Sequence, residues 1–162
     1  MKCPRTASEL TPIKVGGITV EFSKASGGVF FDNYELMHFD EEHEKRGSVL
    51  VEHLSQFTPS AIDYSQRINC PKCPDIVMRR YFYSPKNQVE VDECPGCGGM
   101  WFDYNELAKI RELFPNQQDR DKAGKDFVLA MLETNIQKSH DMKIQQKDAL
   151  AQKLQRFFIS VF

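Results

Sequence analysis

Apolar and polar residues alternate from Leu10 to Val15 and again from Ile18 to Phe22, with Gly16-Gly17 between the two runs. A Gly-Gly pair between β-rich runs reads as a hairpin turn, because such turns need the positive φ that glycine tolerates. A second hairpin is expected further along. Ile76 to Tyr83 is rich in β-formers, Ser84-Pro-Lys-Asn87 supplies turn residues, and Gln88 to Asp92 alternates. Helical signals lie between and after these runs. Asp32 and Asp103 stand as N-cap candidates, each with a glutamate (Glu35, Glu106) three residues on, close to a capping box. Phe31 with Leu36, and Phe102 with Leu107, are spaced as hydrophobic staples, so a helix is expected after each. The charge run Asp40 to Arg46 reads as a solvated helix face, broken at Gly47. Ser48 then caps a short helix over Val49 to Phe57. Beyond Asn116 one long or broken helix is expected from about Asp119 to Ser160. Its end places Leu150, Leu154, Phe157 and Val161 at spacings of four, three and four, as in a coiled-coil seam.

Composition narrows the class. The chain has 162 residues, 41% hydrophobic and 27% charged, with a net charge of -2. That is too polar for one large core over the whole length, and too near neutrality for a strongly basic nucleic-acid module. No run of about 18 apolar residues is present, and the N-terminus lacks the apolar core of a secretory signal. A cytoplasmic protein with no membrane partner is expected.

Five cysteines supply the chemistry. Cys70-Pro-Lys-Cys73 and Cys94-Pro-Gly-Cys97 are two C-x-x-C pairs separated by twenty residues, the upper end of a zinc-site spacing. Two intervening residues let a tight turn aim both sulfurs at one ion, and Zn²⁺ takes four thiolates in a tetrahedron. Paired redox motifs are the competing reading, but no βαβ pattern surrounds either pair. One Zn²⁺ per chain, held by Cys70, Cys73, Cys94 and Cys97, is therefore expected. Four cysteines leave no open position on the metal, and no nucleophile–base signature or phosphate loop is present, so a structural site and no enzyme activity are expected. His38, His43 and His53 are scattered, and read as surface or packing residues.

The chain also repeats itself. Gly27-Gly-Val-Phe-Phe-Asp-Asn-Tyr-Glu-Leu36 has a near twin in Gly98-Gly-Met-Trp-Phe-Asp-Tyr-Asn-Glu-Leu107. The alignment sets Ser23 and Ser26 on Cys94 and Cys97, and Cys3-Pro-Arg-Thr6 on Cys70-Pro-Lys-Cys73. The first copy thus keeps only Cys3 of four ligand positions. Hydroxyls are poor zinc ligands beside thiolates, so no metal is expected there. Packing of Phe22, Val29, Phe30 and Phe31 is the expected substitute.

From Cys70 to Leu107 the sequence resembles the transcription-factor-IIB-type zinc ribbons: C-P-x-C, a hairpin, then C-P-x-C-G-G-x-W-x-D-x-x-E-L. The resemblance implies zinc on the four cysteines and suggests a transcription-related role.

The expected fold is α+β. Residues 1–36 form a degenerate ribbon-like module, 37–66 a helical connector, 67–114 the zinc ribbon with its helix, and 119–162 a helical tail. Two functions stay open. One is an adaptor or transcription-related regulator that binds another protein, with the tail as a homo-oligomer contact. The other is DNA or RNA binding through Arg79, Arg80, Tyr81, Tyr83 and Lys86, where cations neighbour stacking surfaces.

Overall fold

The computed structural model describes residues 1–40, 44–83, 89–113 and 117–161. The turn at 84–88, Lys86 included, and His43 lie outside the described residues. The chain divides into two units, Met1–Asp121 and Lys122–Phe162.

In the first unit the described strands are β1 (Thr11–Val15), β2 (Ile18–Phe22), β3 (Val29–Phe31), β4 (Arg79–Phe82), β5 (Glu90–Glu93) and β6 (Met100–Phe102). They make one antiparallel sheet in the order β1-β2-β3-β6-β5-β4. The expected hairpins are β1–β2, closed at Gly16-Gly17, and β4–β5. What joins them is the β3–β6 seam, where Val29 faces Phe102, Phe30 faces Trp101 and Phe31 faces Met100. The seam strands were not expected from alternation. Three-residue runs buried on both faces carry no period-two signal.

Alternation along the seam sorts side chains to two faces. Val29, Phe31 and Phe102 pack with Val20, Phe22, Leu36, Phe39, Leu50, Leu54, Leu107 and Ile110 under the helices α1 (Lys45–Leu54) and α2 (Glu106–Leu113). Phe30 and Trp101, both fully buried, point to the other face, where they pack with Cys3, Leu10, Ile68, Cys70, Met78 and Cys94. Helices cover one side of the sheet. The cysteine turns cover the other.

The sequence pattern predicts a helix after both motifs, but only the second motif is followed by one. Leu36–His38 forms a single 3₁₀ turn, after which Phe39 and Asp40 turn inward. Phe39 packs on Phe31 with ring centroids 5.3 Å apart, and Asp40 accepts a hydrogen bond from the Tyr83 hydroxyl at 2.8 Å. These tertiary contacts override the local helix signal. The break expected at Gly47 is also absent, since α1 runs through it. A Cβ at Gly47 would collide with the Arg111 guanidinium and the Phe39 carbonyl. That guanidinium donates to the carbonyls of Phe39 and Glu44 and to the Ser48 hydroxyl. Gly47 therefore admits a buried arginine, and Ser48 accepts from Arg111 rather than capping.

The second unit is helical. It lies within α3, a single helix over Gln117–Val161.

Candidate metal centre

Two short turns build the site. At the first, the Cys70 N–H donates to the Ile76 carbonyl and the Ile76 N–H to Cys73, both at 2.9 Å. At the second, the Cys94 N–H donates to Gly99 at 2.8 Å and the Gly98 N–H to Cys94 at 2.9 Å. Gly98 has φ +71, a left-handed conformation that glycine reaches without Cβ strain. The sheet sets the first turn beside the second because β4 pairs with β5 and Asn69 bridges Val77.

The four sulfurs converge. All lie within 4.8 Å of one another, and Cys70 Sγ is 3.7 Å from Cys97 Sγ. A tetrahedron with Zn–S bonds of about 2.3 Å requires sulfurs about 3.8 Å apart, so the arrangement fits one zinc ion. Cys70 and Cys94 are buried, while Cys73 and Cys97 are half-buried. Burial pushes the Cys70 thiol up to about 12, and burial with the neighbouring sulfur of Cys97 raises Cys73. Burial also opposes ionisation of Cys94, but the N–H groups of Cys97 and Gly96 more than offset it and lower its pKa. A divalent cation supplies the charge that lets all four ionise together.

The turns at Cys3 and Ser23 follow the backbone plan of the Cys94 turn, one residue tighter than the turn at Cys70. The Cys3 N–H donates to Ser8 and the Ala7 N–H to Cys3, while the Ser23 N–H donates to Gly28 and the Gly27 N–H to Ser23. Gly27 has φ +67. In place of four sulfurs these turns bring together one thiol and hydroxyls. Cys3 Sγ is 3.3 Å from Ser26 Oγ, and the Ser26 N–H donates to Ser23 Oγ at 3.1 Å. Burial would raise the Cys3 pKa, yet hydrogen bonds from Ser23, Ser26 and Thr6 and from the Arg5 backbone bring it below the usual thiol value. Among the described residues, the only cluster that could hold a metal through His, Cys, Asp or Glu is the four-cysteine one.

Contacts across the seam are reciprocal. Arg5, after Cys3-Pro4, reaches Asp103, while Lys72, after Cys70-Pro71, reaches Asp32 at 2.7 Å. A Cβ on Gly27 would strike the Tyr104 ring, and one on Gly98 would meet Asn33. A Cβ on Gly28 would strike Trp101, and one on Gly99 would strike Phe30. The Asp32 and Asp103 N–H groups donate to Glu35 and Glu106, the side-chain half of a capping box. The arginine pair is the buried one. Arg5 donates twice to Asp103 Oδ2 and once to Oδ1, lies 3.5 Å from Asp92, and sits over the Tyr64 ring. Trp101 Nε1 donates to Asp103 Oδ1 at 2.7 Å, and Arg80 pairs with Asp92 at 3.1 Å. Burial lifts Asp92 above the usual carboxylate range despite both arginines. It lifts Glu106 to about 8, with Asp103 adding to the shift.

Residues 69–112 match the family model of the transcription factor zinc-finger, the TFIIB-type zinc ribbon. The matched segment holds all four cysteines, both hairpin strands, the seam strand β6 and nearly all of α2. No curated protein and no solved structure matched the chain.

Of the residues expected to touch nucleic acid, Arg79 and Tyr81 lie on one face of β4 and Arg80 on the other. Arg79 is exposed and lies 3.6 Å from Glu93, and Tyr81 sits beside that glutamate, which with burial pushes its hydroxyl up to about 12. Arg80 is engaged with Asp92 and with the carbonyls of Tyr64, Ser65 and Gln66. Tyr83 is half-buried and donates to Asp40. Lys86 lies outside the described residues. The ion pairs of Arg5 and Lys72 were not expected from sequence, although the repeat carried their signal. Aligned positions 5 and 72 are both basic, and 32 and 103 both acidic.

Proposed function

We propose that this chain is a non-catalytic zinc-ribbon scaffold that serves as a protein-interaction adaptor, in keeping with the transcription-related family its ribbon matches. On this reading residues 3–36 are a second ribbon that has lost its metal and now acts as a permanent partner of the zinc half. The convergence of four cysteine sulfurs carries the reading, because they supply a full tetrahedral set and leave no position for substrate or water. The reciprocal contacts across the seam support the repeat. Val77 and Tyr81, 51% and 40% exposed along the β4 edge, offer apolar and aromatic side chains to a protein partner.

The nucleic-acid reading has one observation in its favour, the exposed Arg79 beside Tyr81. Against it, Arg80 is engaged within the fold and Glu93 faces Arg79. Titrating zinc-loaded protein into labelled mixed DNA and RNA at low and then higher salt decides between them. The adaptor reading expects no binding. Micromolar binding that weakens steeply with salt and is lost in Arg79→Ala would replace it with nucleic-acid recognition.

A further inference from the structure

We propose that α3 pairs in antiparallel fashion with α3 of a second copy of this chain, through the face that carries Leu129, Leu132 and Ile136. The helix has 45 residues and so extends about 67 Å. A single helix has no core of its own, and helices in water owe most of their stability to packing of an apolar face. Side-chain hydrogen bonds along α3 include Gln137 to Asp141 and the Thr134 hydroxyl to the Ala130 carbonyl.

The apolar side chains along α3 are exposed to solvent. Leu129, Leu132 and Ile136 are 58%, 52% and 66% exposed, and spacings of three and four set them on one face. Val128 widens that face at its start. Two heptads beyond Ile136 stands Leu150, and at 3.6 residues per turn the sequence sets Leu154, Phe157 and Val161 on the same side of the helix. The stripe therefore spans the helix with apolar stretches at both ends and a polar stretch between, so either end can lie against the other.

Charge selects the occupant and its direction. Acids and bases nearly balance over residues 117–136, where Asp126 and Glu133 lie near Lys122 and Lys125. Over residues 137–161 bases exceed acids, through Lys138, Lys143, Lys147, Lys153 and Arg156. A parallel pair would set the two cationic halves side by side along their length, which is repulsive. An antiparallel pair sets each cationic half against the balanced half, so the helix is its own complement only in that direction. This inference stands apart from the adaptor reading, since either can fail alone.

Sedimentation equilibrium of the zinc-loaded full chain, at micromolar to submillimolar concentration, tests it. The expected mass is twice that of one chain. The double variant Leu132→Asp, Ile136→Asp should halve that mass and lose far-UV helix signal. Zinc content and the fluorescence of Trp101, which sits in the first unit, should stay unchanged. A native chain that sediments as a single chain throughout overturns the proposal, as does a dimer that the double variant leaves intact. Direction is read by mixing chains that carry donor or acceptor fluorescent proteins at the C-terminus. Weak transfer is expected, and efficient transfer would overturn antiparallel pairing.

Discussion

The turns around Cys3, Ser23 and Cys94 use the same two backbone hydrogen bonds and the turn around Cys70 a wider pair, yet the Cys3–Ser23 turns and the Cys70–Cys94 turns are held together by different forces. In residues 70–97 four sulfurs converge within 4.8 Å and fit one metal ion. In residues 3–26 a single thiol is hydrogen-bonded among hydroxyls. The first arrangement gathers four thiols around room for one cation, and the second gathers a single thiol among hydroxyls. Both turn pairs lie on the same sheet face, on either side of the Phe30–Trp101 pair. The backbone conformation of the Cys94 turn is thus kept at Ser23 by hydroxyl hydrogen bonds and by packing at the seam. The difference teaches that the knuckle geometry does not itself require metal, provided a folded neighbour supplies the buried surface.

Removing zinc is the strongest way to break this comparison. Structural zinc contributes about 10–16 kcal/mol of apparent folding free energy in finger peptides, which rivals the whole stability of a typical domain. Each half leans on the other through Gly28–Trp101, Gly99–Phe30 and the Arg5–Asp103 pair. Chelation is therefore expected to unfold the metal-free half together with the zinc half, in one transition. Hydrogen exchange at Val20 and Phe22 in β2 reports this directly. Protection that survives chelation would mean that the hydroxyl-bonded half folds alone.

The next test adds metal instead. Thr6→Cys, Ser23→Cys and Ser26→Cys together complete a four-thiol set with Cys3. Zinc content should rise from one to two per chain, with a higher unfolding midpoint. The gain should be smaller than the loss on chelation, because the hydroxyl network it replaces already holds those turns. A triple variant that still carries one zinc would show that the two turn pairs differ in more than their side chains.

How much of this was legible in the sequence follows from the range of each signal. The C-x-x-C spacing is local chemistry, and it located all four sulfurs. Alternation around Gly16-Gly17 located β1 and β2. The similarity of residues 27–36 and 98–107 is visible and reads as helix entry, whereas its centre forms the β3–β6 seam. Nothing in a three-residue apolar run says which distant run it pairs with. Tertiary packing likewise decided the cases where local rules failed. Phe39 is drawn against Phe31 and ends the helix expected after Leu36, and Arg111 occupies the space that keeps Gly47 within α1. Arg80 reads as a free cation in sequence, and only the register opposite Asp92 shows that it is engaged.

The finest test concerns the two crossed ion pairs, which occupy matching positions in unlike surroundings. The Arg5 and Asp103 side chains are 2% and 8% exposed, whereas Lys72 and Asp32 are 49% and 37% exposed. Breaking a buried pair by deleting one partner strands the other charge, at a cost of about 3–5 kcal/mol. Arg5→Ala leaves Asp103 with only the Trp101 N–H among its described side-chain partners, and leaves Asp92 with Arg80. Its unfolding free energy from denaturant titration should fall by that order, with a lower midpoint. Arg5→Lys should recover only part of the loss, because an ammonium cannot reach both Asp103 oxygens, Asp92 and the Gln66 carbonyl at once. Lys72→Ala should leave the midpoint almost unmoved, since water and salt already screen that pair. Equal losses in Arg5→Ala and Lys72→Ala would mean that the seam is symmetric in energy as well as in geometry. A large loss confined to Arg5→Ala would place the fastening of the two halves at Arg5, in the turn that begins at Cys3.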